Sequence, residues 1–138
     1  MYERILVALD GSEHSRRALE HAKALALLAT SQVRVLHVRE EYFIGRAGQV
    51  PAEAHQEAAK LVDDAVASLT EAGVPASGML RASLAGRVAG EILEEAESWD
   101  ASLVVMGSRG LTDLVGLLLG STAHKVLHLG KTPVLIVH

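Results

Sequence analysis

The chain has 138 residues, enough for one domain with a real core. Its 17 acidic side chains outnumber 13 basic ones, no polybasic run appears, and the aromatics are one Trp, two Tyr and one Phe, which excludes the phosphate-tracking stripe and stacking platforms of a general nucleic-acid binder. Zero cysteines exclude disulfides, thiol catalysis and thiolate metal sites, and no apolar run approaches the roughly 18 residues of a membrane span.

The N-terminal stretch MYERILVALD sets charges on both sides of a short apolar run and lacks a signal-peptide cleavage pattern, so a cytoplasmic protein is expected. Its core, 4-RILVAL-9, predicts a strand covered on both faces. From Ser12 the period changes. Ala18, Ala22, Leu25, Ala26 and Ala29 recur at helical spacing, and Asp10 or Ser12 can cap that helix. The β-branched run 32-QVRVLHV-38 predicts the second strand. The segment 41–52 has no clear period and carries two glycines and a proline, so a long loop is expected there.

Pro51 suits the first turn of a second helix of about 20 positions, with Ala58, Leu61, Val62, Ala65 and Leu69 as its apolar stripe and Gly73 as its stop. The run 77-SGMLRAS-83 predicts a third strand. Val88, Ile92, Leu93 and Ala96 mark a third helix starting near Gly86, and 101-ASLVVMG-107 predicts a fourth strand. A capped helix follows over 121-STAHKVLHL-129, stopped at Gly130, and Pro133 precedes the last strand, 134-VLIV-137. Strand and helix alternate throughout, with no repeat and no linker. One α/β domain spanning 1–138 is expected, an open five-stranded parallel sheet with helices on both faces.

Ligands of such sheets gather at the carboxyl ends of strands. Asp10-Gly11-Ser12 marks one such end, and Gly107-Ser108-Arg109-Gly110 marks another. Gly120-Ser121-Thr122 then opens a helix, where amides without internal partners and the dipole favour an anion. The familiar phosphate motifs do not fit, because there is no G-x-G-x-x-G here and no Gly-Lys-Ser/Thr of a P-loop. What the sequence carries is Gly-x2-Gly-x9-Gly-Ser, from Gly107 through Gly110 to Gly120 and Ser121.

With that spacing the chain resembles the ATP-binding branch of the universal stress protein family over nearly its whole length. ILVALDGSEHSRRAL, LHV at 36–38, VVMGSRG and KTPVLIV are similar to the family's first, second, fourth and fifth strands with their flanking turns. The resemblance implies a Rossmann-like fold of the adenine-nucleotide α-hydrolase kind. It also implies that Ala8 and Leu9 flank adenine, that Val38 meets the base through its backbone, and that Asp10 lies near the ribose and phosphates. Gly107, Ser108, Gly110, Gly120, Ser121 and Thr122 would hold ribose and phosphates, with Mg²⁺ or Mn²⁺ on the triphosphate. A homodimer through the C-terminal strand is implied as well, along with a nucleotide-dependent regulatory role in the stress response and at most slow ATP hydrolysis.

Local readings sit beside these. Ser121 or Thr122 is expected to cap the last helix. Gly116 reads as a loop or close-packing residue, and Arg109 can reach a phosphate or point to water. His124 and His128, four apart, share a helix face without the Glu or third ligand of a zinc site. His37 reads as a packed or hydrogen-bonded histidine, Glu94, Glu95 and Glu97 as a solvated face, and Trp99 as a partly buried anchor. Competing functions are an ATP-dependent adenylating enzyme, whose S-G-G-x-D-S turn is not matched by Leu9-Asp10-Gly11-Ser12-Glu13, and a nucleotide-free dimeric scaffold. A flavodoxin-like carrier would need rim aromatics that the chain scarcely has.

Overall fold

Apolar residues on both faces of a short strand require cover on both sides, and the fold supplies it. In a computed structural model describing residues 1–43, 49–51, 54–110 and 119–138, β1 (Arg4–Leu9) has Ile5, Leu6 and Val7 fully buried. Ser12 caps α1 (Glu13–Ala29), its Oγ accepting from the Ser15 amide at 3.1 Å, and Thr30 closes that helix in the left-handed region. The remaining elements are β2 (Gln32–Phe43), β3 (Gln49–Pro51), α2 (His55–Glu71), β4 (Ala76–Leu84), α3 (Val88–Ser98), β5 (Leu103–Gly107), α4 (Ser121–Leu129) and β6 (Val134–Val137).

Five strands run parallel in the order β4-β2-β1-β5-β6, and the short β3 pairs antiparallel with the end of β2. Alternation along the strands divides the core in two. Ile5, Val7, Val33, Val35 and Val105 pack with Ala18, Ala22 and Ala26 of α1 and with Val62, Ala65 and Leu69 of α2. Leu6, Leu36, Val38, Val104 and Met106 face the other way, onto Ala89, Ile92 and Ala96 of α3 and Ala123 and Val126 of α4. The expected parallel sheet with helices on both faces is therefore what the chain forms. Among the described residues no helix is long and apolar enough to cross a membrane.

Four expectations need correction. Strand β2 does not stop at Val38, because β4 pairs with it as far as Glu41↔Leu84, and tertiary pairing carries a polar stretch that has no strand signal of its own. The expected loop 41–52 thus begins as strand and returns as β3, with Tyr42 opposite Val50 and Glu41 opposite Pro51. Residues 44–48 and 52–53 of that segment, and Gly116 with the rest of 111–118, lie outside the described residues. Pro51 accordingly closes a short strand, where a missing amide is tolerated, and α2 starts later, at His55 after Ala54.

Finally, Glu95 is not on a solvated face. It is 2 % exposed and bonded to Arg34 of β2 at 2.8 Å and to Arg81 of β4 at 3.0 Å. Arg81 also reaches Glu91 at 2.6 Å. Arg34 lies 4.8 Å over the ring of Trp99, the half-buried residue that closes α3 as expected. Removing the Glu95 carboxylate leaves Arg34, about four-fifths out of water, without its carboxylate, while Arg81 keeps Glu91. Glu95→Ala is expected to cost about 2–3 kcal/mol of stability in a urea titration, below the figure for fully buried pairs because the arginines keep some solvent. A midpoint equal to the parent's would show that the pair contributes nothing net.

Candidate functional site

The chain runs from β1 outward to β2 and β4, then crosses back to β5 on the far side of β1. That reversal opens a crevice beyond the strand ends, the place where open α/β sheets hold ligands. A cavity of about 550 Å³ occupies it, within the range of small-molecule sites. All ten residues singled out from the sequence line this one cavity. Ala8 and Leu9 end β1, Asp10 follows it, and Val38 belongs to β2. Gly107 ends β5, Ser108 and Gly110 follow it, and Gly120, Ser121 and Thr122 open α4.

Local bonding shapes each part. Asp10 Oδ1 accepts from the Ser12 amide at 2.9 Å, closing a turn in which Gly11 takes φ +83°, so Ser12 caps α1 while Asp10 braces the turn before it. The Ser15 hydroxyl locks the same turn, donating to Ser12 O at 3.0 Å and accepting from the Asp10 amide at 3.3 Å. Ser108 is almost wholly buried. Its amide donates to Val137 O at 2.8 Å, and its carbonyl accepts from the Gly120 amide. Two segments a dozen positions apart are thereby joined at one edge.

Gly107 has a packing role. A Cβ there would lie 2.7 Å from His14 Cβ and 2.9 Å from the His14 carbonyl carbon, so its missing side chain lets the start of α1 approach β5. Gly120 differs. Its φ of −70° and ψ of 163° suit any residue, and it is the N-cap of α4, with no side-chain capping bond. The expectation that Ser121 or Thr122 caps this helix is therefore corrected. Both already belong to the first turn, one and two positions past the extended residue where a cap must sit. The first amides of α4 have no intrahelical acceptor, and neither hydroxyl is committed to capping.

Sequence reasoning missed the opposite wall. Val88, Ala89 and Ile92 of α3, with Leu36 and Met106, give the cavity an apolar side, and Glu40 and Lys125 add charges to its lining. The α3 residues were legible as a helical stripe but not as a ligand wall. Glu40 could have been found from its spacing, since it lies two positions past Val38 and so on the same face of β2. Arg109 also lines the cavity, with Nη2 3.4 Å from His14 Nε2. His37 is buried and donates from Nδ1 to Leu9 O at 2.7 Å, matching the packed, hydrogen-bonded reading. His124 and His128 meet edge to face, 4.3 Å between ring centres, on the exposed side of α4.

The sequence profile of the universal stress protein family matches residues 1–138. The chain is 34% identical over 150 residues to universal stress protein YxiE of Bacillus subtilis, covering 99% of both. It is 37% identical over 140 residues to a universal stress protein of Thermus aquaticus, again covering 99% of each. Among solved structures, protein MJ0577 of Methanocaldococcus jannaschii superposes with a TM-score of 0.82 at 27% identity, over 99% of this chain and 96% of that one. A universal stress protein solved in complex with cAMP gives 0.69 at 28%, over 99% and 97%. One from Archaeoglobus fulgidus in complex with dAMP gives 0.75 at 25%, over 99% and 98%.

The packing role of Gly107 has a direct test. Gly107→Ala forces His14 and the α1 backbone outward and is expected to destabilise the fold by about 1–3 kcal/mol in a thermal melt. A melting temperature within a degree of the parent's would mean that α1 yields at no cost.

Proposed function

This chain belongs to the universal stress protein family, and we propose that it binds an adenine nucleotide, ATP carried with Mg²⁺ or Mn²⁺, in the cavity beyond β1, β2 and β5. The observation that carries this reading is convergence. The two halves of the Gly-x2-Gly-x9-Gly-Ser spacing, joined by the Ser108–Gly120 bond, face the same cavity as the ends of β1 and β2. The cAMP and dAMP complexes of the two structural relatives support an adenine nucleotide as the ligand class.

In this arrangement adenine lies between the Val38 backbone, Ala8 and Leu9 and the apolar face of α3, with the ribose near Asp10. The phosphates lie along Ser108, Gly110, Gly120, Ser121 and Thr122, where orphan amides and hydroxyls offer donors. Each dipole contribution is about 0.3–1 kcal/mol, so affinity comes from several donors acting together. The metal ion would ride on the phosphates and neutralise part of their charge. Bound nucleotide then acts as a regulatory signal in a stress response, with hydrolysis slow at most.

We extend the reading to a homodimer formed through β6. That strand pairs only with β5 among the described residues, and it leaves Leu135 36% exposed at the sheet margin. An apolar edge strand of this kind is stabilised by a second copy.

Calorimetric titration of nucleotide-free protein with ATP and Mg²⁺ is expected to give saturable binding. Gly120→Val is expected to lose it while still melting cooperatively, because the backbone at that position accommodates a β-branched residue. Unchanged affinity in the variant would remove the phosphates from the start of α4. No binding by the parent would leave a dimeric scaffold as the better account. Light scattering is expected to report twice the monomer mass, falling to one in Leu135→Asp. A parent of monomer mass would overturn the dimer.

A further inference from the structure

Two cations line the cavity without a carboxylate partner among the described residues, Arg109 and Lys125. Two other lysines do find one, Lys60 with Asp64 at 2.6 Å and Lys23 with Glu20 at 3.5 Å. A described neighbour that meets Arg109 is His14, whose Nε2 lies 3.4 Å from the guanidinium. Lys125 sits four residues after Ser121 and three after Thr122. Long helical side chains lean toward the N-terminus, which directs the Lys125 stem back toward the turn that bears both hydroxyls.

The acidic residues of the lining lie elsewhere, Asp10 after the central strand and Glu40 on β2. Asp10 follows β1 and accepts from the Ser12 amide, while Glu40 on β2 stands 3.4 Å from the Gly86 amide. Because β1 separates β2 from β5, the charges of the lining are spread across the cavity, Glu40 on the β2 side, Asp10 at the end of the central strand, and Arg109 and Lys125 on the β5 and α4 side. Backbone amides serve any phosphate that touches them. Side-chain cations on long stems add attraction only to charge extending past that first contact.

We propose that Arg109 and Lys125 form a clamp for the distal phosphates, giving the site a preference for nucleoside triphosphate over monophosphate. This rests on the nucleotide-binding reading above and deepens it. The clamp supplies charge-assisted contacts from two directions, one cation from the segment after β5 and one from α4. A monophosphate, held at the amides, leaves both cations in solvent.

The test is a titration of the full chain with MgATP, MgADP and AMP, repeated on Lys125→Gln and Arg109→Gln. The parent is expected to rank ATP over ADP over AMP, and each variant to lower the ATP-to-AMP affinity ratio by about tenfold. Raising salt from about 50 to 500 mM is expected to compress the parent's ratio and to compress each variant's less. A ratio unchanged in both variants, or equal losses for ATP and AMP, overturns the clamp and leaves the nucleotide site standing. A parent that binds no nucleotide overturns both, and that result appears before any variant is made. Lys125 is exposed, and thermal melts of both variants are expected to overlay the parent's.

Discussion

The candidate site depends on the two main-chain bonds of Ser108. Its amide extends the β5–β6 pairing one step past Gly107↔Val137, and its carbonyl takes the amide of Gly120, the N-cap of α4. Eleven residues, 109–119, are spanned by that second bond, and closing a loop of such length costs only slightly more than closing a shorter one. The start of a helix, which on its own binds anions weakly, is thereby set against the end of the central strand pair. Gly107, one residue earlier, lets the first turn of α1 close in from the other side. Three element ends meet within two residues of backbone, and the cavity is the space they leave.

The opposite wall is fixed by charge. Helix α3 presents Ala89 and Ile92 to the apolar core while Glu91 and Glu95 reach the arginines of β2 and β4. A buried ion pair is weak evidence for stability, since apolar replacements of similar volume often do as well. Its contribution here is orientation. Rolling α3 by one residue would carry Glu95 away from Arg34 and Arg81 and push a carboxylate toward the apolar cluster. The face that includes Val88 and Ile92 is thereby held toward the cavity.

Much of this was legible in the sequence, because period and punctuation are local. β1, β6, α1 and α4 fall where their patterns end, at Asp10, Gly130 and Pro133, and the ten site residues meet around one cavity because strand ends and glycine turns announce themselves. What escaped was written in contacts between distant residues. Glu41–Phe43 reads as the start of a loop and becomes strand because β4 pairs as far as Glu41 and β3 folds back along Tyr42 and Phe43. Glu94, Glu95 and Glu97 look alike in a row, yet Glu95 is buried by arginines 61 and 14 residues away. Gly107 reads as a phosphate residue in the sequence, while its packing role depends on where His14 comes to rest. The capping hydroxyls failed for a local reason, since Gly120 takes the cap position by conformation alone.

The distribution of these restraints bears on whether the proposed site holds or cleaves. Amides at the start of α4 and cations on long side chains attract a phosphate chain in its ground state and in the transition state for hydrolysis alike. Uniform attraction of that kind raises affinity without raising rate. Cleavage needs a group set against the attacking water, and phosphoryl-transfer sites place one beside the terminal phosphate. Of the carboxylates that line this cavity, Glu40 lies on β2 and Asp10 follows β1, with its Oδ1 engaged by the Ser12 amide. Beside the proposed phosphate positions the described lining offers donors and positive charge, and what such an array supplies is grip on a phosphate chain.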